Sequence, residues 1–144
     1  MNHLKKISFV ILVGMATMFE TGCIKKGPDD PLISLETRMT RMSQDWVLVQ
    51  YEKNDGVIDL TGTYSEWDIH KNSTLTQTEE GTMFGFAVRT SSDGNWSFID
   101  SKKSISININ NEVKNYLIDR LSSTELWLTY YQGSDTYFLH FQVR

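Results

Sequence analysis

From Asp45 to the C-terminus the sequence keeps returning to a period of two. Ile105, Ile107 and Ile109 alternate with serine and asparagine, the pattern of a strand with one face buried and the other in water. Shorter runs of the same kind, rich in aromatic and β-branched residues, fall at 46–51, 66–70, 74–78, 83–90, 96–99, 116–118, 126–131 and 137–143. Turn signals separate many of them: Asp55-Gly56, Ser92-Asp93-Gly94-Asn95, Asn110-Asn111 and Gln132-Gly133-Ser134-Asp135. No helical stretch long enough for a parallel crossover lies between them, so consecutive strands pair antiparallel. Eight or nine such strands form a meander, which hides its edges most simply by closing on itself. The expected fold is all-β, a single eight-stranded (or nine-stranded) antiparallel up-and-down β-barrel with a short N-terminal helix. That helix is read from Leu32, Leu35, Met39 and Met42, spaced by three, four and three residues, with Ser34 as its cap. Two to three turns are expected, packed over one end of the barrel.

The first 31 residues follow different rules. Lys5 and Lys6 precede an apolar stretch from Ile7 to Ala16, and the small residues Thr21 and Gly22 precede Cys23. This is the layout of an export signal. Glu20 interrupts the apolar run well short of the ~20 residues needed to span a bilayer. Cys23 is the only cysteine of the 144 residues. The segment resembles the lipobox of bacterial lipoproteins, although Glu20 stands where that motif usually carries leucine. The resemblance implies a signal peptide over 1–22, lipidation of Cys23 and a tether over 23–31, with the folded domain over 32–144. The tether is polar and holds both prolines, Pro28 and Pro31. Lipidation would consume the only thiol and leave the domain without a disulfide or a cysteine metal site. The expected location is the cell envelope, at the outer membrane, with the lipid as the membrane contact.

Charge and composition narrow the function. The chain carries −4 at neutral pH, and loss of Lys5, Lys6 and Glu20 with the signal removes +1 to leave −5. An acidic domain is not built for nucleic acid. Aromatics at 12% with only two prolines describe a folded chain, not a disordered one. Beyond the signal the only histidines are His70 and His140, with no nucleophile elbow, metal-ligand spacing or acidic calcium loop. Glu79 and Glu80 are adjacent, and in a strand they face opposite ways, which disfavours shared acid–base work. The expectation is a non-enzymatic protein without a cofactor.

Residues 30–38 followed by Trp46-Val47-Leu48, then Gly94-Asn95-Trp96-Ser97-Phe98, Tyr116-Leu117-Ile118 and Leu126-Trp127-Leu128, resemble the lipocalin-like domains of small lipoproteins of the Bacteroidetes type. The Gly-x-Trp of lipocalin first strands is here Gln44-Asp45-Trp46, without the glycine. In an even-stranded barrel the last strand ends where the first begins, which sets Arg144 beside Trp46. The resemblance implies that the arginine lies over the indole.

An eight-stranded barrel either fills itself with side chains or holds one small ligand. Alternation assigns an inward set that includes Phe84, Phe86, Val88, Trp96, Phe98, Ile105, Ile107, Ile109, Tyr116, Ile118, Leu126, Leu128, Tyr130, Leu139 and Phe141. The ligand-binding candidates are Phe86, Trp96, Phe98, Tyr116, Ile118, Arg120, Leu128 and Tyr130, forming an apolar cavity. Its two tyrosines would orient a polar group, and Arg120 at the mouth would meet a carboxylate. The ligand would be small and apolar or amphipathic. The other reading is a filled barrel that works through an outer patch of Trp127, Tyr131 and Phe138 against an envelope protein or glycan.

Overall fold

The computed structural model describes residues 36–144. The export segment, Cys23, the tether and the first part of the expected helix lie outside the described residues. Helix α1 is a single turn, Arg38–Met42. The Thr37 hydroxyl accepts from the Thr40 amide at 3.1 Å, so the helix starts at this cap. Of the four residues from which the helix is read, Met39 and Met42 fall on it, and Leu32 and Leu35 lie outside the described residues.

Nine strands follow: β1 (Asp45–Lys53), β2 (Gly56–Ile58), β3 (Tyr64–Ile69), β4 (Thr74–Met83), β5 (Phe86–Ile99), β6 (Ser104–Ile109), β7 (Glu112–Leu121), β8 (Glu125–Gln132) and β9 (Asp135–Val143). Each pairs antiparallel with its neighbour in the order β2-β1-β3-β4-β5-β6-β7-β8-β9, and β1 also pairs with β9 from Trp46↔Val143 to Lys53↔Tyr137. That last pairing closes the sheet. Eight strands form the barrel, as expected, and the three-residue β2 is the extra one.

Four hairpins end at one rim, here called the mouth. Three use two-residue turns with both residues at positive φ: Asn54-Asp55 (50°, 63°), Phe84-Gly85 (52°, 81°) and Asn110-Asn111 (53°, 66°). This is the type I′ geometry that suits the twist of a hairpin. In the fourth, Gly133-Ser134, the glycine takes the positive φ.

The β4–β5 region departs from the expected strand plan. The chain does not turn at Ser92-Asp93-Gly94-Asn95; β5 runs through it for fourteen residues. Gly94 is there for another reason. A β-carbon on it would lie 2.4 Å from the Asn108 carbonyl oxygen of β6, so only glycine lets the two strands approach. The turn instead falls at Phe84-Gly85, and Phe84, assigned inward, stands 94% exposed at the tip.

The opposite rim is the floor, and it is filled. Trp46, Met42, Ile69, Leu75, Ile105, Leu121, Leu126, Leu128 and Phe141 are fully enclosed there. Helix α1 plugs this end, with the Trp46 indole N–H donating to the Met42 carbonyl at 2.9 Å. The C-terminus meets β1 as expected, its Arg144 amide donating to the Asp45 carbonyl at 3.0 Å. The Arg144 guanidinium, however, reaches Glu66 Oε1 at 3.0 Å and does not cover Trp46. Glu66 is buried on the outer face and also accepts from the Tyr64 hydroxyl at 2.7 Å, so the cation goes to the carboxylate.

Candidate ligand pocket at the barrel mouth

Along each strand the inward positions change character partway up. In β4 they read Leu75, Gln77, Glu79, and in β5, from floor to mouth, Phe98, Trp96, Gly94, Ser92, Thr90. Their cross-strand partners match, with Leu75 opposite Gly94, Gln77 opposite Ser92 and Glu79 opposite Thr90. The lower half of the barrel on these strands is therefore apolar and closed, and the upper half is lined with polar side chains.

At the boundary lies a cavity of about 300 Å³. Trp67, Tyr116, Ile107 and Ile109 line it with apolar surface; Gln77, Glu79, Thr90, Ser92, Asn110, Glu112 and Lys114 supply polar groups. A second cavity of about 240 Å³ shares Glu79 and opens through the wall beside Leu48, Leu60 and Tyr64. The wall is thin there for a structural reason. β1 pairs with β3 only over Asp45–Val47 and then turns away to pair with β2 at Tyr51–Lys53.

Two features of the cavity bear on what it can hold. The Trp67 indole N–H is buried and has no hydrogen-bond acceptor among the described residues, and a buried donor left unpaired costs about 1–3 kcal/mol. The charges are also unequal. Lys114 is paired to Glu112 at 3.1 Å, and Gln77 donates to Glu79 at 2.6 Å, so two carboxylates face one ammonium.

A chain of aromatic rings connects this cavity to the floor and to the rim. Phe141 and Trp67 are 4.7 Å apart between centroids, Trp67 and Tyr116 5.6 Å, and Tyr116 and Tyr130 5.3 Å. Tyr130 stacks on Tyr137 at 4.5 Å and shares a 3.1 Å hydroxyl contact with Tyr51. Burial drives the phenol pKa values of both Tyr116 and Tyr130 well above their usual value, so both stay neutral donors. At the rim, Lys53 lies 5.4 Å from the centre of the Tyr137 ring and 2.7 Å from Asp135 Oδ2.

The eight ligand-binding candidates scatter around this geometry. Tyr116 lines the cavity and Tyr130 stands behind it. Trp96, Ile118 and Leu128 are buried in the filled half, and Phe98 packs against them. The Trp96 indole N–H is already committed to the His70 carbonyl at 2.9 Å. Phe86 has inward parity but sits above the barrel, 75% exposed. Arg120 faces outward. An irregularity between Ile118 and Arg120 shifts the register, so Arg120 pairs across from Trp127 and not from an inward residue. It contacts Glu125 at 2.8 Å and lies 5.2 Å over the Trp127 ring.

The outer aromatic cluster has the expected parity. Trp127 meets Phe138 at 6.1 Å and His140 at 5.4 Å on the outside of β8 and β9. Arg120 covers part of the Trp127 face, which leaves Tyr131 as the strongly exposed member at 65%.

Sequence reasoning missed Trp67 and the polar lining, because it looked for an apolar cavity. The signal was present in β4 and β5, where inward parity carries Gln77, Glu79, Thr90 and Ser92 immediately above Leu75 and Trp96.

Eight antiparallel strands close in sequence order over a filled floor plugged by a short helix, which is an up-and-down β-barrel, the architecture that lipocalins share with other closed antiparallel barrels. No protein-family model matches the chain, and no curated protein matches it. Among solved structures, the bovine lipocalin allergen Bos d 2 is similar at 9% identity and TM-score 0.47, over 72% of this chain and 73% of that one. Bovine odorant-binding protein, in complex with a selenium-containing odorant, is similar at 13% identity and TM-score 0.48, over 79% and 77%. The same protein with undecanal gives 13% and 0.47, over 78% and 77%. The strand pairings, and not these similarities, define the fold.

Proposed function

We propose that this chain is a lipid-anchored, lipocalin-like binding protein of the bacterial cell envelope, and that it takes up one small amphipathic molecule at the barrel mouth. The observation that carries the binding role is the mixed lining. Trp67, Tyr116 and Ile107 offer apolar surface, and Gln77, Glu79, Thr90 and Ser92 ring it with polar groups. A volume of about 300 Å³ is at the lower end for ligand pockets. The apolar part of the ligand lies on the aromatic bed, with an acceptor within reach of the Trp67 N–H. Its polar end is neutral or cationic, because the rim carries an excess of carboxylate. A carboxylate ligand loses its expected partner, since Arg120 is on the outside with Glu125.

The anchor reading rests on the lone Cys23 after an export-like segment. A diacylated or triacylated N-terminus would hold the domain at the membrane stably. Native mass spectrometry of the untagged full chain, isolated from a bacterial envelope, tests both parts at once. The expected spectrum shows an acylated Cys23 and a co-purifying small molecule. An unmodified thiol would overturn the anchor; a protein that carries nothing and takes up no added amphiphile would overturn the binding role.

A further inference from the structure

The β4–β5 hairpin continues past the barrel wall. The last β3–β4 pair is Tyr64↔Glu80, and the last β5–β6 pair is Gly94↔Ile109, so residues 81–88 pair only with each other. No side chain in that stretch is charged. Its apolar residues are bare: Met83 is 58% exposed, Phe84 94%, Phe86 75% and Val88 38%. Phe84 is also at φ 52°, a left-handed position that favours asparagine or glycine. Neither burial nor backbone preference explains a phenylalanine there, and such outliers concentrate where function demands them.

We infer that this ribbon tip is a membrane-contact element, inserting Phe84 and Phe86 into the interfacial region of a bilayer. The chain outside the described residues makes the geometry feasible. Helix α1 lies at the floor end, and a chain of thirteen residues, the number from 24 to 36, spans at most about 45 Å when extended. The ten residues of β4 run about 33 Å. A tether of that length attached at Cys23 is long enough to pass the barrel wall, so the mouth and its tip can face the bilayer that holds the lipid. Glu79 and Thr90, at the base of the tip, line the ligand cavity, which then opens next to the membrane. The inference uses the anchor of the proposed function but not the pocket.

The test is a single-site environment probe on the full chain in vesicles of phosphatidylethanolamine and phosphatidylglycerol. Phe84→Cys is labelled with a nitrobenzoxadiazole fluorophore and compared with Lys71→Cys, an exposed site in the floor loop. Intact mass reports whether Cys23 is acylated; where it is free, Cys23→Ser is added and the measurement repeated. A failed anchor thus appears in the mass and not in the fluorescence. The expected result is a blue shift and a severalfold rise in emission at site 84 on adding vesicles, with little change at site 71. A second variant, Phe86→Ser in the Phe84→Cys background, should reduce that rise. No change at site 84, or an equal change at both sites, would overturn the inference. So would a blue shift that grows with protein concentration in the absence of lipid, which would mean that the tip meets a second copy.

Discussion

Trp67 and Tyr116 meet edge to face, their ring centroids 5.6 Å apart, where the filled floor gives way to the open mouth. Tyr116 is held by Tyr130 on its other side, at 5.3 Å. Removing the ring should therefore cost core packing as well as binding. Tyr116→Ala is expected to destabilise the protein by about 3–5 kcal/mol, as for other buried aromatic truncations. Tyr116→Phe keeps the packing and should leave stability nearly unchanged while weakening binding of any ligand that bonds the hydroxyl. Chemical denaturation and a binding titration on both variants separate the two roles.

At Gly94, β5 and β6 approach too closely for a side chain. A β-carbon at this position would sit 2.4 Å from the Asn108 carbonyl oxygen and 2.7 Å from the Ile109 side chain, so alanine has no room. Gly94→Ala is expected to cost at least about 1–3 kcal/mol through overpacking. Urea denaturation gives the value, and a change below 0.5 kcal/mol (about the noise for a neutral surface substitution) would mean that the strands separate freely.

Two loop positions should be improvable. Asp100, Ser101 and Lys102 are all left-handed, at φ 51°, 56° and 69°, in the link between β5 and β6. The left-handed conformation costs a non-glycine residue about 1–2 kcal/mol, so Ser101→Gly should raise stability by about 1 kcal/mol. Phe84→Asn should likewise stabilise the hairpin, by a similar amount, while abolishing its membrane contact. Thermal denaturation together with vesicle binding reads both effects. A tip that gains stability and loses the bilayer is the expected trade.

The outer face near the floor sets the acid limb of stability. The Tyr64 hydroxyl, and then Arg144 with help from Arg89, hold the Glu66 carboxyl below the usual range, against the opposing effect of burial. Its folded pKa is thus lower than that in the unfolded chain, about 4.3. The stabilisation is complete above that value and is lost as pH falls through the folded pKa. Asp68 behaves in the opposite sense. Burial, and then Asp45 opposite it in the strand register, raise its pKa, so its charge weakens the fold at neutral pH. Glu66→Gln should lower stability at pH 7 by about 1.5–3 kcal/mol and flatten the profile below pH ~4.3. Asp68→Asn should raise stability at pH 7. Denaturation midpoints from pH 3 to 8 test both signs.

The strand plan was legible wherever alternation was strict. Ile105, Ile107 and Ile109 point inward as read, and the parity of Trp127, Tyr131 and Phe138 on the outer face was also readable. The β4–β5 hairpin was not, because Asp93-Gly94 has turn chemistry that the close approach of β6 overrides. Phe84-Gly85 carries only half of the usual signal for the turn it makes, the glycine at the second position, with phenylalanine where asparagine or aspartate is usual. Arg120 escaped because one irregular residue pair reverses the parity of everything beyond it. The pocket was hidden for a different reason. Burial can be read from apolar periodicity, but an open, polar-lined half-barrel shows itself only as polar residues at inward parity, such as Gln77 and Ser92.

The central claim is that the upper half of the barrel is a binding site, and occlusion of that half tests it most directly. Thr90 points into the cavity from β5, and Thr90→Trp would fill it without touching the floor. Titration with N-phenyl-1-naphthylamine, followed by probe emission, should give saturable one-site binding to the natural chain. Thr90→Trp should weaken it by about tenfold or more, about 1.4 kcal/mol, while Phe138→Ser on the outer face leaves it unchanged. Equal binding by the Thr90→Trp protein, or loss of binding in Phe138→Ser alone, would contradict the account.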